Sequence, residues 1–304
     1  MDKFELNILG CGSALPTTKH ALSSQVVNLR DKLYMIDCGE GTQLQFRKMK
    51  LNFNRLNHIF LSHLHGDHCF GLLGLLSTLS LLGRTGEIVI HAHSDAEKIF
   101  QPQLDYFCKE MSYQVSFNAI DPSKYALIYE DRTLKVYTIP LKHRVPTCGF
   151  LFEELPKSPH IIREMIDFHQ VPTSKINSIK AGNDFVTLEG NIINNAMFTR
   201  PAAPPKKYAY CSDTAYSEKI VDIIHGVDLL YHEATFSQQD VARAKATFHS
   251  SAQQAASIAR QAHVGKLIIG HFSARYPEET ILLQEAQETF TNTTLAKELQ
   301  TISV

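Results

Sequence analysis

Apolar residues along this chain fall mostly in short runs separated by polar breaks, a spacing that suits strands better than long helices. Alternating or continuous apolar runs predict strands at 4–9, 25–29, 32–37, 58–62, 87–92, 113–117, 133–139, 149–152, 208–211, 228–232 and 266–269. Spacing near 3.6 predicts helices at 72–82, 96–108, 218–224, 252–262 and 278–289. A block of strands precedes the first helix, and the same order returns more weakly in the second half. That pattern predicts an α+β chain, two packed mixed sheets flanked by helices. The leucine-rich stretch 69–83 is shorter than the about 20 residues a bilayer span requires, so it reads as a buried helix beginning directly after His68.

The polar residues that interrupt this pattern are not random. The apolar run 58–61 leads into Ser62-His63-Leu64-His65-Gly66-Asp67-His68. In extended backbone, residues i and i+2 share a side, so His63 and His65 can face one ion. Gly66 permits a sharp turn, after which Asp67 and His68 can face a second ion. Imidazole and carboxylate without thiolate suit zinc or a similar divalent metal. Cys69 beside this run could supply a thiolate, but a small buried hydrophobe is its commoner role. Further on, His143, Asp213, His232-Glu233 and His271 each close a predicted strand. One cleft at the strand ends would collect them all. Alone, each would pass for a surface residue; together they form a ligand set.

Composition restricts the partners. The 304 residues are 44% hydrophobic and 20% charged, with no repeat and no linker, which predicts a single domain over 1–304. At a net charge of −1, a nucleic-acid partner must be met by a local basic surface. Six scattered cysteines show no disulfide framework, and the start lacks the basic-then-apolar order of a secretory signal. Both features predict a cytoplasmic protein without a membrane segment.

Six segments together resemble a known family: Gly10-Cys11-Gly12-Ser13-Ala14, Asp37 to Gln43, Ser62 to His68, Ser212-Asp213-Thr214, His232-Glu233-Ala234-Thr235-Phe236 and His271 to Tyr276. The His-x-His-x-Asp-His run is similar to the metallo-β-lactamase superfamily and its αββα sandwich. The full set resembles ribonuclease Z, the tRNA 3′-processing endonucleases. That resemblance implies that His63, His65 and His143 hold one metal, that Asp67, His68 and His271 hold the other, and that Asp213 bridges them, most plausibly around two zinc ions. Manganese would accept the same donors. Asp67 could also serve as general base. Leaving-group protonation needs a group free of coordination, and His249, with Glu233 as partner, is the best candidate because imidazole titrates near neutrality. A structural reading competes: His249 only precedes a helix cap at Ser250 or Ser251. His232 is either a support for a ligand or a strand-end residue.

Segment 152–205 is poor in regular pattern and, with its flank, carries Lys157, Arg163, Lys175, Lys180, Arg200, Lys206 and Lys207. Resemblance implies an inserted substrate-binding arm, although the family's Gly-Pro pair is missing; a plain surface excursion is the alternative. In the loop after the first strand, Pro16 and Lys19 match family members that reject tRNA already ending in CCA. His20-Ala21 replaces their Arg-Asn pair, and a mostly neutral histidine is no substitute for a guanidinium. Weaker discrimination against CCA is therefore expected. The function implied is removal of the 3′ trailer from precursor tRNA by a homodimer, leaving a 3′-hydroxyl on the tRNA and a 5′-phosphate on the trailer. The alternatives are a small-ester hydrolase of the same fold (a cyclic phosphodiesterase or arylsulfatase) and a catalytically silent RNA-binding scaffold. An intact ligand set argues against the scaffold.

Overall fold

The computed structural model describes residues 3–304. The chain runs through β1 (Phe4–Gly10), β2 (Ser24–Leu29), β3 (Lys32–Ile36), α1 (Thr42–Lys48), β4 (Leu56–Phe60), the single turn α2 (Gly66–Cys69), α3 (Leu72–Leu81), β5 (Ile88–His93), α4 (Asp95–Phe107) and β6 (Val115–Ile120). A second sheet starts with β7 (Leu127–Glu130), β8 (Leu134–Pro140) and β9 (Cys148–Glu154). An excursion follows with β10 (His160–Ile161), α5 (Arg163–Phe168), α6 (Thr173–Lys180), β11 (Phe185–Val186), β12 (Ile192–Ile193) and β13 (Thr199–Arg200). The main path resumes with β14 (Lys207–Cys211), β15 (Leu229–Glu233), α7 (Val241–Thr247), α8 (Ala252–Gln261), β16 (Lys266–Gly270), α9 (Thr280–Thr289), β17 (Thr293–Leu295) and β18 (Thr301–Ser303).

Two seven-stranded sheets result, in the orders β18-β1-β2-β3-β4-β5-β6 and β17-β16-β15-β14-β9-β8-β7. Both are mixed: β3 to β6 and β14 to β17 run parallel, while β1, β2 and β18 in one sheet and β9 against β14 in the other are antiparallel. The period of two decides which side each residue buries. Leu6, Ile8, Val27, Tyr34, Ile36 and Phe60 face inward and meet Val136, Phe150, Phe152, Tyr208 and Tyr210 of the second sheet. Leu9, Val26, Met35 and Ile59 alternate with them and pack outward under Phe46 of α1, Leu72, Leu75, Leu76 and Leu79 of α3, and Phe100 of α4. Each of those leucines, fully buried, contributes roughly 1.5–3 kcal/mol over exposure. The second sheet is covered by α8, whose Ala252, Ala255, Ala256 and Ala259 let the helix sit close on β15 and β16. The αββα order expected from the strand pattern is therefore present.

Local differences from the sequence reading have physical reasons. The helix expected directly after His68 is split, because α2 stops at Cys69 and α3 begins at Leu72. Gly66 adopts ordinary helical backbone rather than a left-handed turn; its lack of a side chain leaves room for the Phe70 ring. Residues 218–224 form only a short 3-10 turn, Glu218–Ile220. α1 and α7 were not legible, being seven residues each and largely exposed. β17 and β18 are three-residue strands, too short for periodicity.

The chain divides into two compact units, with Glu154–Pro205 as the second. Its own small core consists of Ile166, Val171, Ile179, Phe185 and Phe198, and β10 pairs with β13 and β11 with β12. Its strands are two residues long, which is why the sequence of this stretch is poor in regular pattern.

Gly71 shows how closely the loops at one end of the sheets are fitted. Cys38 donates its N–H to the His68 carbonyl (2.7 Å), and its own carbonyl accepts from Gly71 N (2.9 Å). A Cβ at Gly71 would run into the Gly39 carbonyl oxygen. Gly71→Ala is expected to destabilise the protein by about 1–3 kcal/mol, the usual cost of overpacking. Urea unfolding checks this, and an unchanged midpoint would show that the two loops can separate freely.

Candidate metal centre

Four strand ends deliver the converging residues. His63 and His65 follow β4, His143 follows β8, Asp213 follows β14 and His271 follows β16. Asp67 and His68 sit in α2. Asp213 (φ 60) and His271 (φ 61) adopt left-handed backbone, as does Asp37 (φ 55) after β3. Non-glycine residues hold that conformation at a cost of about 1–3 kcal/mol, and such strain gathers at functional sites. Here it turns the side chains back over the sheet ends.

The seven residues form two clusters around one carboxylate. In the first, His65 Nδ1 lies 3.1 Å from His63 Nε2 and 3.3 Å from His143 Nε2, and Asp213 Oδ2 is 3.7 and 3.6 Å from the latter two nitrogens. In the second, His68 Nε2 and His271 Nε2 are 3.4 Å apart and lie 3.0 and 3.1 Å from Asp213 Oδ1. Asp67 Oδ2 completes this group at 3.5 and 3.6 Å from the same two nitrogens. Tetrahedral zinc with bonds of about 2.0–2.2 Å requires donor separations of roughly 3.3–3.6 Å. The donor separations in both clusters lie close to that range. Burial, with neighbouring imidazoles, holds His63 well below the usual histidine range, and burial lowers His65 and His143, as ligands require. His68 is fully buried, which disfavours its charge, yet Asp213, Asp37 and Asp67 outweigh that and raise it. The donor set fits two divalent ions.

The imidazoles of both clusters are held from behind. Asp37 is completely buried and accepts from Ser62 N (2.7 Å), Ser62 Oγ (2.8 Å) and Tyr210 OH (2.7 Å), while its Oδ2 lies 2.7 Å from His68 Nδ1. Thr235 Oγ1 is 2.9 Å from His271 Nδ1 and donates to Glu233 Oε2 at 2.5 Å. His143 Nδ1 is 3.1 Å from the carbonyl of Phe248, itself left-handed at φ 61. Asp67 Oδ2 accepts the N–H of Ala14 at 2.8 Å. The sequence reading quoted Asp37, Thr235 and Tyr210 within or beside its motifs without giving them a role. Only the strand-end position of Asp37 signalled it.

His249 belongs to the same cleft of about 560 Å³, with His65, Asp67, His143, Asp213 and His271. Its Nδ1 is 2.9 Å from Glu233 Oε1, and Glu233 also accepts from Thr214 N (2.6 Å) and Ser250 N (3.1 Å). Partial burial pulls the His249 pKa down, but the Glu233 carboxylate wins and pushes it up to about 9. The cap expected beside it is Ser251, which with Gln254 makes a reciprocal capping box for α8 without help from the His249 ring. His232 stays outside the clusters, with Nδ1 2.8 Å from the Glu233 carbonyl. Cys69 is likewise no ligand; burial pushes its thiol up to about 12.

Hydrogen bonding to Glu298 raises the pKa of His20 despite burial, with Glu279 adding to the effect. Of the basic residues counted toward the arm, Lys206 and Lys207 lie outside it, paired with Asp228 and Glu153; Lys157 and Arg163 pair with Glu154 and Asp167. Lys175, Lys180 and Arg200 are the exposed basic residues on α6 and β13.

A ribonuclease Z from Parabacteroides distasonis is 61% identical over 304 residues, all of both chains. The chain belongs to the ribonuclease Z family. Residues 4–294 also match the family model described as Anti-Pycsar protein Apyc1, and the chain is a member of that family too. Among solved structures, the short form of human tRNase Z superposes with a TM-score of 0.72 at 24% identity, over 99% of each chain. The metallo-β-lactamase fold protein YhfI of Bacillus subtilis gives 0.69 at 18% identity, over 100% of each. These likenesses identify the metallo-β-lactamase fold. Within that fold, the donor clusters of this ribonuclease Z family member mark a divalent-metal centre.

Two substitutions divide ligation from support. Asp213→Ala should release at least one ion per chain, since among the described residues no other carboxylate reaches both clusters; full metal content with normal turnover would show that Asp213 is not the bridge. Asp37→Asn keeps every donor and removes the buried charge behind His68. Metal affinity, measured by competition with a chromophoric chelator, should fall by about 10–100-fold.

Proposed function

We propose that the protein is a cytoplasmic endoribonuclease that removes the 3′ trailer from precursor tRNA, leaving a 3′-hydroxyl on the tRNA and a 5′-phosphate on the trailer. Membership of the ribonuclease Z family supports the substrate class. The observation that carries the chemistry is the Asp213 carboxylate, with one oxygen toward His68 and His271 and the other toward His63 and His143. His63, His65 and His143 would hold one zinc ion, Asp67, His68 and His271 a second, and Asp213 both. Two such ions activate water and stabilise the charge that develops on a phosphodiester.

The side chains do the rest. Asp67, fixed through Oδ2 by the Ala14 N–H, takes a proton from the attacking water. As the new P–O bond forms, the bond from phosphorus to the O3′ of the last retained nucleotide breaks. His249 gives its proton to that oxygen. Its Nδ1 is engaged by Glu233, so the proton comes from Nε2, and the carboxylate keeps the ring charged until the leaving group needs it. The insertion Glu154–Pro205 serves as the substrate-binding arm, its Lys175, Lys180 and Arg200 contacting tRNA phosphates, in a homodimer where one subunit's arm serves the other's cleft. Among the described residues no helix is long and apolar enough to cross a membrane.

Parallel incubation with a precursor tRNA and a small aryl phosphodiester tests this function. Trailer release with mature 3′-hydroxyl ends supports it. Turnover of the small ester with the tRNA left intact would assign a cyclic phosphodiesterase-type activity instead. His249→Ala should slow single-turnover cleavage by about 10²–10⁴-fold with metal content and tRNA affinity unchanged. Glu233→Gln should slow it less. Loss of an ion in His249→Ala would make His249 a ligand beside Asp213 and His271, whose donor atoms it approaches.

A further inference from the structure

A second group of metal-type donors lies apart from the seven residues above. Cys11 follows β1, His20 belongs to the loop between β1 and β2, and Glu298 precedes β18. Glu298 Oε1 is 2.9 Å from His20 Nδ1 and 3.2 Å from Cys11 Sγ, and Sγ is 3.7 Å from Nδ1. The Ala296 carbonyl lies 3.7 Å from the same sulfur. For comparison, tetrahedral zinc bonded to one sulfur, one nitrogen and one oxygen separates these donors by roughly 3.3–3.6 Å. The histidine is also backed as ligating histidines usually are, its other nitrogen Nε2 lying 3.0 Å from Glu279 Oε1. Lys19 binds that same Glu279 carboxylate and the Pro277 carbonyl.

We infer that Cys11, His20 and Glu298 form a third metal site, which takes one thiophilic divalent cation, zinc above all, and ties the loop between β1 and β2 to the C-terminal segment. Cys11 is fully buried, while His20 and Glu298 keep 15% and 19% of their side chains exposed, so an ion can enter from one side. Binding displaces the thiol proton, and His20 presents the lone pair of Nδ1 while Nε2 donates to Glu279. The charges then balance: the dication meets the thiolate and the Glu298 carboxylate, and Lys19 offsets Glu279. The same loop supplies the Ala14 N–H that holds Asp67, and Ala14 and Pro16 line the main cleft. Occupancy would therefore stiffen one wall of the cleft. The inference is independent of the reaction assigned to that cleft.

Cobalt substitution gives a readout that activity cannot. The main centre offers only imidazole and carboxylate, so a thiolate-to-cobalt charge-transfer band in the near ultraviolet must come from a cysteine site. Full-length protein saturated with Co²⁺ should show that band and bind three ions per chain. Cys11→Ser should lose the band and one ion, and Glu298→Gln should shift the band and weaken the third ion while the other two remain. Absence of the band from the wild-type protein, with only two ions bound, would overturn the proposal. So would a band that survives Cys11→Ser. The wild-type spectrum decides even if a variant fails to fold.

Discussion

A single buried carboxylate, that of Asp37, ties the two sheets to the helix that carries His68. It leaves the end of β3 in one sheet, accepts from Tyr210 of β14 in the other, holds Ser62 through backbone and hydroxyl, and faces His68 of α2. A charge with no exposure must be met by donors on every side, because desolvation costs several kcal/mol when it is not. The three residues that meet it, Ser62, His68 and Tyr210, lie in different parts of the fold, so satisfying Asp37 fixes the relative positions of both sheets and of α2. The metal donors inherit their precision from that constraint. Asp213 and His271, in left-handed backbone, are the places where the fold accepts local strain to complete the pocket.

The sequence revealed the donors better than their supports. His63 and His65 were readable because two residues of extended chain put imidazoles on one side, and their nitrogens do lie 3.1 Å apart. His143, Asp213 and His271 were found through their position at strand ends, which is a property of the pattern. The interlock of Cys38 with His68 and Gly71 leaves no periodic trace, since it consists of backbone hydrogen bonds between segments some thirty residues apart. The same holds for the core of the insertion, where Phe185 and Phe198 meet across strands of two residues. Charge was the least legible property. Nothing in the sequence around His20 shows that Glu298 and Glu279, far along the chain, fold back onto it and raise its pKa.

Two kinds of likeness bear on this protein, and they carry different weight. At 61% identity over the whole chain, a ribonuclease Z relative shares far more than a scaffold. Solved structures at 24% and 18% identity share the scaffold alone, and that scaffold hosts many chemistries. Around the donor clusters stand Glu233 joined to His249 and the loop carrying Ala14 and Pro16, and the chain carries the separate unit Glu154–Pro205.

The carbonyl of Phe248 steadies the ring of His143, and the next residue along is His249. The rings of His143 and His249 thus depend on one peptide unit. On the roles proposed for them, whatever orders the metal side also bears on the turn between α7 and α8 that carries the acid, so metal loading and the placement of the proton donor are coupled through the backbone.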